Sequence, residues 1–299
     1  MQNLKDRLNS GKVIVGDGGW GSMIMQHGLK HGEAPEAVNL SNPGILNEIA
    51  GLYLEAGAEI ITTNTFGATM LRLQSYALDD KADEINLKGV EIIRNAVGEK
   101  AYVSASVGPT SQLIAPYGKT TPDEVYSNFE RQIRELLAAG PDMICVETMT
   151  DLQEAVLAVK AARSLSAEIP IMATMTFNEK PRGFFTMMGV SIEKAAQGLE
   201  AAGANIIGSN CGNGIEKMVK IAAEFKKHSS LPIAIQANAG LPIMQDGKTV
   251  YPETPDFMAE QTLKLLEIGV QIIGGCCGTT PEHIRALRKV IDEYLRTTS

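Results

Sequence analysis

Eight times along this chain a short apolar run is followed by a longer amphipathic stretch, and no other feature restricts the fold as much. The apolar runs fall at 12–16, 59–63, 101–107, 143–147, 171–175, 205–209, 233–236 and 271–274. Each is continuous rather than alternating, as expected of strands covered on both faces of a parallel sheet. Helical periodicity marks 42–56, 81–97, 122–139, 150–165, 191–202, 214–228, 254–268 and 280–296. Thr121-Pro122 and Thr280-Pro281 supply a capping oxygen followed by proline at the first helical position. Gly57, Gly140, Gly203 and Gly269 stand where helices should end, each just before the next strand.

Eight strand–helix units in 299 residues are the number that closes a (β/α)8 TIM-type barrel, an α/β fold. An open doubly wound sheet shares the alternation and is the alternative architecture. No Pro/Gly/Ser-rich linker or composition break divides the chain, so 1–299 reads as one domain. The loops at 17–41, 108–121, 176–190 and 237–253 are long, and all follow strands. In a barrel they share the C-terminal face, where function should lie.

Charge and composition narrow the function. Lys+Arg 27 against Asp+Glu 35 leaves −8, which offers no electrostatic footprint for a phosphate backbone and disfavours nucleic acid. No apolar run approaches the roughly 18 residues of a membrane span. The segment 1–12 is polar and lacks the apolar core of a secretory signal. The four cysteines, two of them adjacent, make a poor disulfide framework. In a reducing cytosol they point to metal or redox chemistry, so a soluble, cytoplasmic protein is expected.

The strongest chemical signal is Cys211, in Gly208-Ser209-Asn210-Cys211-Gly212, together with Cys276 and Cys277, in Gly274-Gly275-Cys276-Cys277-Gly278. Strands six and eight of a barrel end at one face, and the flanking glycines let the chain turn so that the sulfurs can meet one ion. Three thiolates suit zinc and leave its fourth position open, as in catalytic sites. A lone cysteine reads as core packing, and Cys145, inside Ile144-Cys145-Val146, is assigned to it. The vicinal pair could instead be a redox couple, but that leaves Cys211 unexplained.

Asp17 ends the first strand and Glu147 the fourth, where carboxylates can hold an ammonium, serve acid–base chemistry or simply cap a loop. Asn64 and Asn238 follow strands two and seven and are weaker candidates, since asparagine favours turns. Gly16-Asp17-Gly18-Gly19-Trp20-Gly21 matches G-x-G-x-x-G, but Gly28, Gly32 and Pro35 interrupt any long helix after it, so a dinucleotide site is rejected. His27 and His31 read as loop residues and His283 as part of a helix start. Met172, Met175, Met187 and Met188 read as packing.

The run Gly274-Gly275-Cys276-Cys277-Gly278-Thr279-Thr280-Pro281-Glu282-His283, with Cys211 in its glycine-rich turn, resembles the homocysteine S-methyltransferase family. Ile61-Thr62-Thr63-Asn64-Thr65-Phe66-Gly67-Ala68 and Gln236-Ala237-Asn238-Ala239-Gly240 are most similar to its cobalamin-dependent methionine synthase branch. The resemblance implies a barrel with zinc on Cys211, Cys276 and Cys277. It also implies homocysteine as substrate, with Asp17 and Glu147 on its ammonium and backbone near Gly18 and Gly19 on its carboxylate. Asn238 matches an asparagine that approaches the zinc when substrate is absent. The branch motifs point to methylcobalamin, a corrinoid, as the methyl donor, and with a single barrel in this sequence the expected carrier is a separate corrinoid protein. A small donor, S-methylmethionine or betaine, is the second reading, and a noncatalytic homocysteine- or zinc-binding module the third. A small cationic donor would want an aromatic cage, for which Trp20, Tyr117, Phe177, Phe184 and Phe185 are candidates. A corrinoid would want an open mouth, with loops 108–121 and 176–190 as its movable rim.

Overall fold

A computed structural model describes residues 2–30, 32–245 and 248–298. Eight parallel strands form the central sheet: β1 Ile14–Val15, β2 Ile60–Thr62, β3 Tyr102–Val107, β4 Met143–Met149, β5 Ile171–Met175, β6 Ile206–Asn210, β7 Ile233–Ala237 and β8 Ile272–Gly275. Neighbours around the ring are neighbours in sequence, and β1 pairs with β8 at Ile14↔Ile272. A parallel bridge between Gly16 and Ile60 and a Glu59 N–H to Val15 carbonyl bond of 2.8 Å close the seam. The open-sheet alternative therefore fails, and the fold is a (β/α)8 barrel.

The outer ring is α1 Pro43–Glu55, α2 Ala82–Val97, α3 Pro122–Ala138, α4 Leu152–Leu165, α5 Ile192–Ala202, α6 Ile215–His228, α7 Pro255–Ile268 and α8 Pro281–Thr298. Thr121 and Glu124 make a reciprocal capping box at α3, and Ser191 and Thr254 cap α5 and α7. Gly57, Gly140, Gly203 and Gly269 all have positive φ, which ends each helix without a Cβ penalty. His283 is buried at the start of α8. It accepts from Thr280 N–H through Nδ1, and its Nε2 lies 3.0 Å from the Glu253 carbonyl, tying α8 to the loop after β7. Among the described residues no helix is long and apolar enough to cross a membrane.

Alternation along each strand explains why the apolar runs are continuous. Val15, Ile61, Val103, Ile144, Ala173, Ile207, Ile235 and Ile273 pack outward against the helices. Their neighbours Ile14, Ile60, Tyr102, Met143, Cys145, Met172, Ile206, Ala234 and Ile272 form a separate cluster with Leu4 and Leu8 of the N-terminal helix Leu4–Asn9. With all eight strands contributing, that cluster is the floor of the barrel interior. Each Ile, Leu or Met of that floor stabilises by about 1.5–3 kcal/mol on burial, and Ala234 and Cys145 by less. Cys145 belongs to this floor, as expected.

Counting by two from the floor toward the strand C-termini changes the chemistry of the interior. The inward positions become Gly16, Thr62, Ser104 and Ser106, Glu147, Thr174, Asn210, Gln236 and Cys276. An apolar floor thus carries a polar chamber.

The loops differ from the sequence reading in three ways. The one after β1 carries the short helices Trp20–Gln26 and Val38–Ser41. Those after β5 and β7 fold into small antiparallel hairpins, Asn178–Lys180 with Gly183–Phe185 and Ile243–Gln245 with Lys248–Val250. The segment after β2, which carries the 61–68 motif but is not among the long loops of the sequence reading, is also long. It contains a short helix, Met70–Leu73, and is locked by buried amides: Asn39 bonds the Asn64 and Ile85 carbonyls, and Gln132 bonds the Thr65 carbonyl.

Candidate active site

The three cysteines converge. β6 ends at Asn210, and Cys211 (φ 60°) and Gly212 (φ 73°) then turn through the left-handed region. For a non-glycine residue that conformation costs about 1–2 kcal/mol. The turn does not release the strand, because Cys211 N–H still reaches the Gln236 carbonyl at 3.1 Å. At the end of β8, Cys276 N–H bonds the Ala237 carbonyl (2.7 Å) and the Cys277 carbonyl accepts from Ala239 N–H (3.0 Å). The three sulfurs lie within 4.8 Å of one another, and Cys211 Sγ is 3.8 Å from Cys277 Sγ.

That spacing fits a metal. Zinc–sulfur bonds of about 2.3 Å in a tetrahedron put ligand sulfurs about 3.8 Å apart. The electrostatics agree. Hydrogen bonds from Cys211 and Cys276 hold the Cys277 thiol well below its ordinary value, while those from Cys211 and Cys277 push Cys276 well up. One thiolate is thus easy and a second is costly unless a cation joins them. Among the described residues no other group of three His, Cys, Asp or Glu side chains brings its ligand atoms this close.

A cavity of about 400 Å³ opens over these sulfurs and is walled also by Asp17, Thr62, Ser106, Glu147 and Gln236. Asp17 Oδ2 accepts from Thr62 N–H (2.6 Å) and Trp20 Nε1–H (2.7 Å), and Oδ1 from the Thr62 hydroxyl (3.0 Å). Burial nevertheless pushes its carboxyl up to about 6. Glu147 accepts from the Ser106 hydroxyl on Oε1 and from Asn210 Nδ2–H on Oε2 (3.1 Å). Burial, with a smaller contribution from the charge of Asp17, pushes Glu147 up to about 7. A buried and a half-buried carboxyl, hydrogen-bonded among the described residues by neutral donors, are suited to a ligand that brings positive charge.

These shifts have a stability consequence in the protein without metal or substrate. A carboxyl with a raised native value holds its proton more tightly folded than unfolded. Stability is therefore greatest below the ordinary values of 3.8 and 4.5 and falls as pH rises through 6 to 7. For Asp17 the loss is about 3 kcal/mol. Urea denaturation between about pH 4 and 7 checks it, the span between the ordinary and raised values: Asp17→Asn flattens the decline, and an unchanged slope contradicts the assignment.

Gly18 and Gly19 also line the cavity. A Cβ on Gly18 would lie 2.8 Å from Tyr53 and Thr279, and one on Gly19 2.6 Å from the Cys276 carbonyl oxygen. Glycine thus lets the loop after β1 lie against the cysteine loop. Gly19 N–H already bonds the Thr279 hydroxyl at 3.0 Å, so Gly18 is the better placed of the two amides for a ligand. Gly278 is tighter still, with φ 80° and a Cβ position 2.0 Å from the Tyr251 ring. Gly278→Ala is expected to destabilise the protein by about 2–4 kcal/mol, by overpacking and left-handed strain together. Gly21→Ala, facing open space on the helix Trp20–Gln26, should be neutral or stabilising. Urea midpoints compare the two, and equal midpoints would contradict the crowding.

Asn238 does not line the cavity. It is buried behind the cysteine loop, with its N–H on the Asn213 carbonyl (3.0 Å) and its Oδ1 without a partner among the described residues. Asn64 does line it, its amide spent on the Pro35 carbonyl and Asn39. His27 is half-buried against the Met23 carbonyl, and His31 lies outside the described residues. Of the five candidate cage aromatics only Trp20 walls the cavity. Phe177 is buried edge-on against Phe225, Tyr117 is exposed, and Phe184 and Phe185 lie half-buried on the first hairpin. Sequence reasoning missed Thr62, Ser106, Thr174, Asn210 and Gln236. All are two or four residues beyond a floor residue of their strand, and that spacing was the available signal.

Comparisons with known proteins agree with this arrangement. The sequence model of the homocysteine S-methyltransferase family matches residues 14–291. Methionine synthase from Mycobacterium leprae (strain TN) is 31% identical over 297 residues, covering 94% of this chain and 24% of that protein. Its counterpart from Mycobacterium tuberculosis (strain ATCC 25618 / H37Rv) is 31% identical over 311 residues, covering 98% and 26%. The chain thus spans about a quarter of the length of these relatives. Among solved structures, the homocysteine methyltransferase MmuM from Escherichia coli in its metallated form shares the fold, with a TM-score of 0.80 at 21% identity over 96% of this chain and 99% of that one. With its barrel matched nearly from end to end, this chain belongs to the homocysteine S-methyltransferase family.

Proposed function

We propose that residues 1–299 form one homocysteine-binding unit that methylates the homocysteine thiol to give methionine, using zinc on Cys211, Cys276 and Cys277. The observation that carries this reading is the meeting, in one cavity, of three close sulfurs with two carboxyls, Asp17 buried and Glu147 half-buried, whose hydrogen bonds among the described residues come from neutral groups. Zinc held by those thiolates would keep an incoming thiol ionised at neutral pH, where a free thiol is mostly protonated. Asp17 and Glu147 then take the substrate ammonium, and Gly18 N–H faces its carboxylate. This three-sided hold aims the sulfur, and proximity supplies much of the rate. The sulfur lone pair forms the new bond to the methyl carbon. The thiol proton leaves to solvent, and the electrons of the broken methyl bond stay with the donor. Free cysteines at the site suit a cytoplasmic setting.

The donor we infer is a methylated corrinoid on a separate protein. Every exposed large hydrophobic among the described residues lies in a loop after an odd-numbered strand: Met25, then Leu113 and Tyr117, Met187 and Met188, and Leu241, Ile243 and Met244. All rim the face above the cysteines, and an apolar rim of this kind suits a protein partner. The cage expected of a small cationic donor has few walls. Trp20 and Phe66 are the cavity's aromatics, and they keep S-methylmethionine or betaine as the second reading.

Zinc-loaded protein given homocysteine with methylcobalamin, S-methylmethionine or betaine in parallel tests the proposal. Methionine is expected from methylcobalamin. Methionine from a small donor alone would favour the second reading, and tight homocysteine binding with no methionine from any donor would leave a noncatalytic binder.

A further inference from the structure

Asn210 is fully buried, and its side-chain amide makes four hydrogen bonds. Its Oδ1 accepts from Thr148 N–H (2.7 Å) and from the Thr174 hydroxyl (2.8 Å), on β4 and β5. Its Nδ2 donates to Thr148 Oγ1 (2.7 Å) and to Glu147 Oε2 (3.1 Å), and lies 4.0 Å from Cys276 Sγ. A backbone N–H can only donate, so Thr148 N–H admits one orientation of the amide, with oxygen toward Thr148 and Thr174 and nitrogen toward Glu147. Thr148 itself sits at φ 60°, a conformation β-branched residues rarely adopt. In it, Thr148 presents both its N–H and its hydroxyl to the same amide.

We propose that Asn210, oriented by Thr148 and Thr174, is a positioning residue that aims Glu147 at the substrate ammonium. The inference rests on the ammonium-binding role given to Glu147 above. With Ser106 on Oε1 and Asn210 on Oε2, the carboxylate plane is fixed from both sides. Both donors are neutral, so they orient the group without satisfying its charge, and that is left to the ligand. Thr174 does not line the cavity, and its hydroxyl donates to Asn210.

Calorimetric titration of the zinc-loaded protein with homocysteine and with 4-mercaptobutyrate, the same thiol without its amino group, separates the possibilities. Asn210→Ala is expected to raise the homocysteine Kd about tenfold or more and the 4-mercaptobutyrate Kd about twofold at most, with zinc content unchanged. Thr174→Val, nearly the same size and remote from the ligand, should show the same selective loss at about threefold, and Thr174→Ser should restore wild-type values. An equal loss for both thiols would make Asn210 a brace of the metal site, and no loss for either would make it a brace of the strands. Each overturns the proposal. Wild-type protein that binds the two thiols equally would overturn the ammonium role of Glu147 first, and the proposal with it. Should Asn210→Ala fail to fold, Thr174→Val decides the matter alone.

Discussion

Single replacement of Cys211, Cys276 or Cys277 by alanine is expected to strip zinc from the protein, whereas Cys145→Ala keeps it. The three sulfurs lie within 4.8 Å of one another at the ends of β6 and β8, and Cys145 packs in the apolar floor with Met143 and Met172. Changing a residue that merely supports a metal ligand costs about 10–100-fold in affinity, so loss of a ligand should exceed that. Metal analysis after exhaustive dialysis reads the outcome. Full occupancy in any of the three variants would remove that cysteine from the set, and loss in Cys145→Ala would place the metal elsewhere.

The second large effect is expected at the carboxylates. Asp17→Asn and Glu147→Gln should each weaken homocysteine binding by about 2–5 kcal/mol, the usual penalty for removing one partner of a buried charge pair. Binding of 4-mercaptobutyrate should change little, and zinc should stay. The binding data should also show a pH signature. With carboxyls pushed up to about 6 and 7, homocysteine affinity falls as pH drops through that range, because the ammonium needs both ionised. Wild-type affinity in both variants would reduce the two acids to strand-end structure.

Much of this was legible in the sequence because the barrel leaves strong local marks. Strands buried on both faces are continuous apolar runs, and Gly57, Gly140, Gly203 and Gly269 mark helix ends by their need for positive φ. The eight barrel strands and eight outer helices fall within about two residues of the expected bounds, whereas the helices Leu4–Asn9, Trp20–Gln26, Val38–Ser41 and Met70–Leu73 were not expected. The cysteine cluster was legible because strand ends of a barrel meet at one face, whatever their separation in sequence. The hairpin Asn178–Lys180 with Gly183–Phe185 left no such mark, since half of its residues face solvent and carry no apolar alternation. The loop after β2 showed its motif in the sequence but hid its conformation for another reason. Arg72 and Phe66 reach the cavity only because amides distant in sequence, Asn39 and Gln132, fix that loop. Asn210 looked like part of a glycine-rich turn. Its place inside the barrel depends on strand phase, which follows from Ile206 once the floor is known.

In the proposed function, zinc held by the three cysteines is what readies the homocysteine thiol. Methionine formation from homocysteine and methylcobalamin, followed before chelation, after chelation and after zinc is returned, tests this most directly. The rate should fall by more than about 100-fold in stripped protein and recover with one equivalent of zinc. An undiminished rate in protein shown to be free of metal would contradict it.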